Sequence, residues 1–298
     1  GWKLALHRHS PNTQTTTMSR GSSKYPAGQY VTVNRVSGHR NVQLTSCPGD
    51  LLYTQVAKIR SVATSYQSSL PAPPAAIRPF RIPGALVTQT YGDILVRLPA
   101  NDRYAYWSGV VGSSVTPGAF ITNIVQSSDA DALLHSTTRL YKAYFLRNPD
   151  HSGFQYWLNR RVTGTSLGQM SNTFAASSEF KTRYGKLTDE AFVDRVYQNV
   201  LGRPADSSGR TYWASKLRSG MGRGVVMLNF SQSSEYRRKT KNGTEVVALY
   251  ETLLKRAVSK ESYDVLVADL AAGRRTTADV ATMLFTSSSY RNRFTKLD

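Results

Sequence analysis

A histidine and the single cysteine of this chain are residues of the types that bind a metal ion. His39 and Cys47 are eight residues apart, on either side of a loop that follows a predicted strand. A neutral imidazole and a thiolate both suit Zn²⁺, but a catalytic zinc site typically has three protein ligands and a water molecule. Two residues of this kind at such a spacing usually do not form a metal site on their own, so zinc binding here would need a further ligand from another part of the protein.

The segment that holds this pair resembles a known family. Its motif is Gly-His-Arg-Asn, followed by Thr-Ser-Cys-Pro-Gly and then Leu-Leu-Tyr. This resembles the C-terminal end of type-2 N-acetylmuramoyl-L-alanine amidases, which include the peptidoglycan recognition proteins, in the form found in secreted actinobacterial proteins. The resemblance covers residues 1–62 and is most specific at 37–53. It implies that His39 and Cys47 are two of three zinc ligands, and that Thr45 helps to stabilise the oxyanion when zinc-bound water attacks the amide.

Two departures from that family bear on activity. Asn41 stands where the family usually has an aspartate, which weakens a contact that supports the site. The family's first zinc-binding histidine comes from strands that precede this segment, so the chain would hold only the last third of an amidase fold. We therefore expect zinc only with an upstream ligand, no other cofactor, and no hydrolysis by this chain alone.

The elements around this segment follow from local patterns. Residues 15–18 and 30–36 alternate or carry β-branched side chains, which predicts a hairpin. Apolar residues at helical spacing after Asp50 predict a helix. Residues 63–85 are rich in proline and have almost no periodicity, which predicts an extended linker.

The rest of the chain repeats a pattern with periods of 50, 56 and 53 residues. Each unit begins with Tyr-x-x-hydrophobic-hydrophobic-x-Arg, has an aromatic or apolar pair nine residues after the arginine, and ends on a serine-rich element. The closing arginines are Arg97, Arg147, Arg203 and Arg256. The pairs are Tyr106-Trp107, Tyr156-Trp157, Tyr212-Trp213 and Val265-Leu266. Periods of this length indicate a tandem array of one supersecondary unit.

Helical spacing within each unit predicts about three short helices. The predicted fold is therefore mainly α: a tandem array of about four three-helix repeats, preceded by an incomplete α/β amidase-like segment with a hairpin. The predicted boundaries are 1–62 for the amidase-like segment, 63–85 for the linker, 86–133 for repeat 1, 134–186 for repeat 2, 187–242 for repeat 3 and 243–298 for repeat 4. Repeats 1 and 4 are degenerate, as terminal repeats often are.

The repeat motif also resembles a known family. Leu-Tyr-x-x-x-Leu-Gly-Arg-x-x-Asp-x-x-Gly-x-x-Tyr-Trp resembles the tandem helical domain of unknown function of secreted bacterial proteins, and is similar in motif to phycobilisome linker domains. The resemblance is best in 187–242 and good in 134–186. It implies no particular chemistry, since its kin act mostly as assembly or adhesion modules.

The repeated polar and aromatic residues have two interpretations each. The arginines could bind an anionic polymer, or bridge to a neighbouring acid or to helix-terminal carbonyl groups. The aromatic pairs could stack on sugars or bases, or fill the core. Asp150 and Asp206 could be calcium ligands, but their loops offer too few oxygens and helix capping is favoured. The candidate binding residues are Arg97, Arg147, Arg203, Arg256, Tyr156, Trp157, Tyr212 and Trp213.

The charge of the chain indicates an anionic partner. Lys and Arg number 38 against 19 Asp and Glu in 298 residues, a formal net charge of +19. The sequence has no zinc finger, helix-turn-helix signature or RNA-binding aromatic motif, which favours a wall polymer over nucleic acid. No apolar run reaches the roughly 18 residues of a membrane span.

Together these features predict an extracellular or cell-wall-associated protein derived from a peptidoglycan amidase. Its repeats would bind peptidoglycan, another anionic wall polymer or envelope proteins. The alternative is a structural protein that assembles into an extracellular filament or layer through its repeats.

Overall fold

The computed structural model describes residues 14–19, 22–27, 29–37, 39–41, 43–46, 49–69 and 75–294, and it is mainly helical. The chain divides into two compact units. One comprises residues 1–87, 104–114 and 288–298, and the other comprises 88–103 and 115–287. We describe each by itself.

The first unit contains the predicted hairpin. Strand β1 (Gln14–Met18) pairs antiparallel with β2 (Tyr30–Asn34), with Met18 opposite Tyr30. The threonines of these strands suit a pleated sheet, and Thr16 and Thr32 hydrogen-bond across the pair at 2.7 Å. A single turn of 3-10 helix follows at His39–Asn41, and the predicted helix is α1 (Asp50–Ser69). The hairpin and the helix are confirmed.

The segment predicted as an extended linker differs from that prediction. Helix α1 continues to Ser69, because the chain carries no proline or glycine between Gly49 and that point. Further on, a 3-10 turn at Ala75–Ile77 leads to Phe80, whose ring centroid is 5.1 Å from that of Phe294. Ile77 and Phe80 are buried, so this stretch belongs to the core of the first unit.

The remaining helices run from α2 to α16. Their bounds are α2 (Pro83–Leu95), α3 (Asn101–Val110), α4 (Pro117–Val125), α5 (Ser128–Ala130), α6 (Ser136–Phe145), α7 (His151–Val162), α8 (Leu167–Ala176), α9 (Ser178–Tyr184), α10 (Asp189–Val196), α11 (Ser207–Arg218), α12 (Arg223–Gln232), α13 (Ser234–Leu249), α14 (Lys260–Ala271), α15 (Thr277–Thr286) and α16 (Ser288–Asn292). One turn of π-helix adjoins α6, α10 and α13, at Asp131–His135, Tyr197–Leu201 and Tyr250–Leu254 respectively.

Aspartate side chains cap the starts of two helices in the second unit, α7 and α11. Asp150 Oδ1 accepts from the backbone N–H of Gly153 at 2.8 Å, and Asp206 Oδ1 accepts from Gly209 N–H at 2.7 Å. The predicted capping role of both aspartates is therefore confirmed.

The serine-rich elements join two helices. Ser177 Oγ donates to the Phe174 carbonyl at 2.7 Å and accepts from Phe180 N–H at 3.2 Å. It therefore closes α8 and opens α9, and Ser127 and Ser233 do the same between their helices. The serine therefore lies between two helices. The sequence pattern placed it only at the end of a unit and did not predict the short helix that follows it.

Two helix pairs bring the predicted repeats together. Helix α4 of repeat 1 packs against α15 of repeat 4, and α8 of repeat 2 packs against α12 of repeat 3. Each pair has a glycine at its contact: Gly118 lies against Ala278 and Thr282, and Gly224 lies against Asn172. The absent Cβ lets the backbones approach closely.

An aromatic core joins the residues of predicted repeats 2 and 3. The Tyr144 ring centroid lies 5.3 Å from that of Phe174, and the Tyr184 centroid lies 5.5 Å from that of Phe192. Tyr144, Tyr184 and Phe192 are fully buried. Tilted and edge-to-face rings of this kind stabilise a core beyond their buried area.

Candidate functional site

The amidase-like segment has only part of its predicted site within the described residues. Thr45 is exposed, whereas Cys47 and the side chain of His39 lie outside the described residues. Asn41 Nδ2 donates to the Tyr53 hydroxyl at 3.0 Å, which ties this turn to α1. Within the described ranges no group of three or more His, Cys, Asp or Glu residues could hold a metal ion. The roles of His39, Cys47 and Thr45 stay predictions.

The repeated arginines share one local geometry. Each follows a residue in the left-handed region, with φ of 53°, 56°, 73° and 53° at Val96, Leu146, Gly202 and Lys255 respectively. This turn folds the arginine back over the tyrosine that begins the motif. The distances from Cζ to the ring centroid are 6.0 Å for Arg97, 5.2 Å for Arg147, 5.1 Å for Arg203 and 5.6 Å for Arg256. The spacing of the motif is thus the spacing of a cation–π contact.

Three of these arginines also pair with an acid on the helix that follows the serine cap. Arg203 makes two hydrogen bonds to Glu235, at 2.8 and 2.9 Å. Arg97 pairs with Asp129 at 2.5 Å, and Arg147 with Glu179 at 3.5 Å. In predicted repeat 4, Ser289 takes the place of the acid that Asp129, Glu179 and Glu235 supply in the other three.

The hydrogen bond from Arg203 holds the pKa of Glu235 below its ordinary value. Arg256 makes no ion pair among the described residues. The arginines of repeats 1 to 3 therefore tie successive helices together, as the bridging interpretation expects.

The aromatic pairs divide between the core and the surface. The second member faces inward: Trp157 is buried with its ring centroid 5.1 Å from that of Phe174, and Trp213 is half-buried at 5.4 Å from Phe230. The first member faces solvent, with Tyr156 53% exposed and Tyr212 54% exposed. The tyrosines are therefore more accessible to a ligand than the tryptophans beside them.

A cation accompanies each of these exposed tyrosines, four residues further along the same helix. Arg160 Nε donates to the Tyr156 hydroxyl at 2.9 Å, and its Cζ lies 5.2 Å from the ring centroid. Lys216 Nζ lies 5.4 Å from the centroid of Tyr212. Arg160 and Lys216 are not among the predicted binding residues. The spacing Tyr-Trp-x-x-Arg or Tyr-Trp-x-x-Lys indicates them, because residues four apart share a helix face.

We name Tyr156, Arg160, Tyr212 and Lys216 the tyrosine–cation pairs. Repeat 4 lacks them: Val265 takes the place of the tyrosine, and Asp269 stands four residues later, bound to Arg274 at 2.7 Å and Arg275 at 3.1 Å. The pairs on α7 and α11 thus repeat the same combination of an exposed ring and a cation at the same helix position.

Residues 171–240 match the family model of a domain of unknown function (DUF4214). The matched stretch begins in α8, ends in α13 and includes one tyrosine–cation pair, Tyr212 and Lys216. No curated protein matches this chain, and no solved structure does.

In the described part of the chain, no helix has the length and apolar character to span a membrane.

Proposed function

We propose that this chain is an extracellular, envelope-associated protein whose helical repeats bind an anionic wall polymer. The observation that carries the proposal is the recurrence of an exposed tyrosine beside a cation at the same position on α7 and α11. A structural role alone would not require a ring that is more than half exposed, and the adjoining tryptophans already fill the core.

The chemistry of the pairs suits a charged glycan. An exposed aromatic face can pack against the apolar face of a sugar ring, while its polar tip remains in water. Arg160 and Lys216 supply positive charge beside each ring, where a phosphate or carboxylate of the polymer would lie. Two such pairs on one compact unit let one polymer engage twice, which raises avidity.

The repeat architecture supports this function. We propose that the chain from residue 86 onward is built from tandem repeats, since the arginine turn, the serine cap and the inward-facing residue of the pair recur at equivalent positions in all four. We also propose that residues 1–62 derive from a peptidoglycan amidase, on the support of the motif at 37–53. Binding by the repeats needs no catalysis from that segment.

Co-sedimentation with purified cell walls tests the proposal. The wall is used in two forms, one with its anionic polymers and one stripped of them. We expect the chain to sediment with the first form and far less with the second. Replacing both Tyr156 and Tyr212 by alanine should weaken binding at least about thirtyfold, since base–aromatic and comparable stacking contacts contribute about 1–3 kcal/mol each.

Val265→Ala is the matched control, because Val265 occupies the equivalent exposed position in repeat 4 without a cation beside it. It should bind as the unmodified chain does. Equal sedimentation of the double variant and the control would refute the proposal.

A further inference from the structure

The second unit contains a polar pocket of about 510 Å³ that includes no residue of the tyrosine–cation pairs. Helices α5, α6 and α13, with the π-helical turn before α6, supply most of its lining. That volume is in the range of small-molecule sites. Its charged residues are Asp131, Arg139, Arg237, Arg238, Lys241 and Glu245, and His135 also lines it.

The two acids of the pocket are already occupied by partners within the fold. Asp131 receives hydrogen bonds from Arg139 at 2.7 Å and from Arg237 at 2.5 Å. Burial alone would raise the pKa of Asp131, but the hydrogen bond and charge of Arg139 bring that pKa below its ordinary value. Glu245 accepts from Gln126 at 3.1 Å and from Thr277 at 2.6 Å. Neither carboxylate needs a ligand.

Two cations of the pocket have no such partner. Arg238 and Lys241 are exposed, and their side chains make no hydrogen bond or ion pair among the described residues. They lie one turn apart on α13, so they share a face of that helix. The lining holds four cationic side chains against two carboxylates, so the pocket keeps an excess of positive charge, and these two side chains are free to face a phosphate or carboxylate.

His135 is a third polar group in the lining of the pocket. His135 is 4% exposed, and its Nε2 lies 2.7 Å from the Val125 carbonyl, so Nε2 carries the proton. Burial lowers the pKa of His135, which keeps the ring neutral. Its Nδ1 is then an acceptor, and it is buried without a partner in the described structure. An acceptor left unsatisfied in this way is destabilising unless a donor completes it.

We propose that this pocket binds a phosphorylated sugar. The phosphate would lie against Arg238 and Lys241, and a sugar hydroxyl would donate to Nδ1 of His135. The same chemistry is available from a free sugar phosphate or from the terminal unit of a phosphate-bearing glycan. The inference stands independently of the proposed function, because the two sites share no residue.

Titration calorimetry with glucose 6-phosphate tests the proposal on the full chain. We expect binding at least about tenfold tighter than to inorganic phosphate or to glucose, since each of these satisfies only one part of the site. Arg238→Ala and Lys241→Ala should each weaken binding about tenfold, the size of a lost charge-assisted hydrogen bond. Lys186→Ala, which removes an exposed lysine outside the pocket, is the matched control.

A second measurement reports on His135 without altering it. In ¹⁵N spectra of histidine-labelled chain, glucose 6-phosphate should shift the Nδ1 resonance of His135 in the direction of an accepted hydrogen bond. Equal affinity for glucose 6-phosphate and inorganic phosphate, full binding by both cation variants, or binding with no Nδ1 shift would each overturn the assignment.

Two further arms separate the related possibilities. A phosphate-bearing glycan that displaces glucose 6-phosphate identifies its terminal unit as a ligand, whereas failure to displace leaves the free sugar phosphate as the ligand. The Tyr156→Ala, Tyr212→Ala variant should bind glucose 6-phosphate as the unmodified chain does, so failure of either proposal is seen separately.

Discussion

The residue before each repeated arginine has positive φ, although three of the four side chains there do not favour it. Val96 is β-branched, and Leu146 and Lys255 also carry a Cβ, yet all three have φ near 55°. Only glycine enters this region freely. In each case the turn places the arginine over the tyrosine of its motif. Gly202 gives the same geometry at Arg203.

Gly202 gives the first test at this scale. Gly202→Val should lower the free energy of unfolding by about 1–2 kcal/mol, because a left-handed conformation is costly for a β-branched residue. Crowding is not the reason, since the nearest atom to an added Cβ is the flexible end of Lys239, at 2.5 Å. Urea denaturation measures the change. The reciprocal Leu146→Gly should not destabilise, and a loss there equal to that of Gly202→Val would contradict the argument.

Glu251 gives a second test, by pH. Its side chain is fully buried and accepts from His151 Nδ1 at 2.6 Å, and burial raises its pKa above 4.5 in spite of that partner. A raised carboxyl pKa means that folding favours the protonated form. Its contribution to stability is therefore complete below pH 4.5 and is lost as pH rises toward the folded-state pKa.

Glu251→Gln removes that titration and keeps an oxygen that can accept from His151. The stability of this variant relative to the unmodified chain should therefore rise between pH 4 and pH 7, as measured by thermal unfolding across that range. A difference that does not change with pH would contradict the raised pKa.

At the scale of elements, the two glycine-mediated helix pairs differ in tightness. A Cβ at Gly118 would overlap Thr282 Oγ1 and lie 2.7 Å from the carbonyl oxygen of Ala278, which is backbone and cannot move aside. A Cβ at Gly224 would meet Asn172 Oδ1 at 3.0 Å, and a side chain can adjust. The contact between α4 and α15 is therefore the closer of the two.

We expect Gly118→Ala to lower the free energy of unfolding by about 1–3 kcal/mol, the usual effect of overpacking. Gly224→Ala should have a smaller effect, because alanine lowers the conformational entropy of the unfolded chain, and this gain partly offsets the cost of the tighter contact. Chemical denaturation of both variants measures the difference. A larger loss for Gly224→Ala would contradict the closer approach of α4 and α15.

The sequence predicted local elements better than their environment. The hairpin, the aspartate caps and the helix after Asp50 followed from strand, cap and spacing signals that act within a few residues. The burial of Ile77 and Phe80 depends on contacts with residues distant in the sequence. Local proline content does not show such contacts, and it therefore predicted a linker. The Tyr-Trp pairs were identified, but helical spacing did not say which member faces the core, because that depends on the packing partner.

The pocket and the tyrosine–cation pairs show the same limit. Arg238 and Lys241 belong to a basic stretch of the sequence, Arg237-Arg238-Lys239-Thr240-Lys241, but whether a basic residue there has an acidic partner depends on where the acids of other helices lie. A buried His135 acceptor cannot be inferred from sequence, since its burial depends on contacts that tertiary structure makes.

At the scale of the whole molecule, the four third helices of the predicted repeats are paired within one chain. Those faces are then not available for open-ended stacking between copies, and the net charge of +19 makes copies repel one another. We expect a monomer by light scattering at physiological salt and high protein concentration. Particles that grow with concentration would instead favour the filament or layer.

The central claim is that exposed tyrosines with adjacent cations bind an anionic wall polymer. The most direct measurement is the dissociation constant for a purified polymer fragment, compared between the Tyr156→Ala, Tyr212→Ala variant and Val265→Ala. We expect a value at least about thirtyfold higher for the double variant, with Val265→Ala like the unmodified chain. Equal dissociation constants for all three would contradict it.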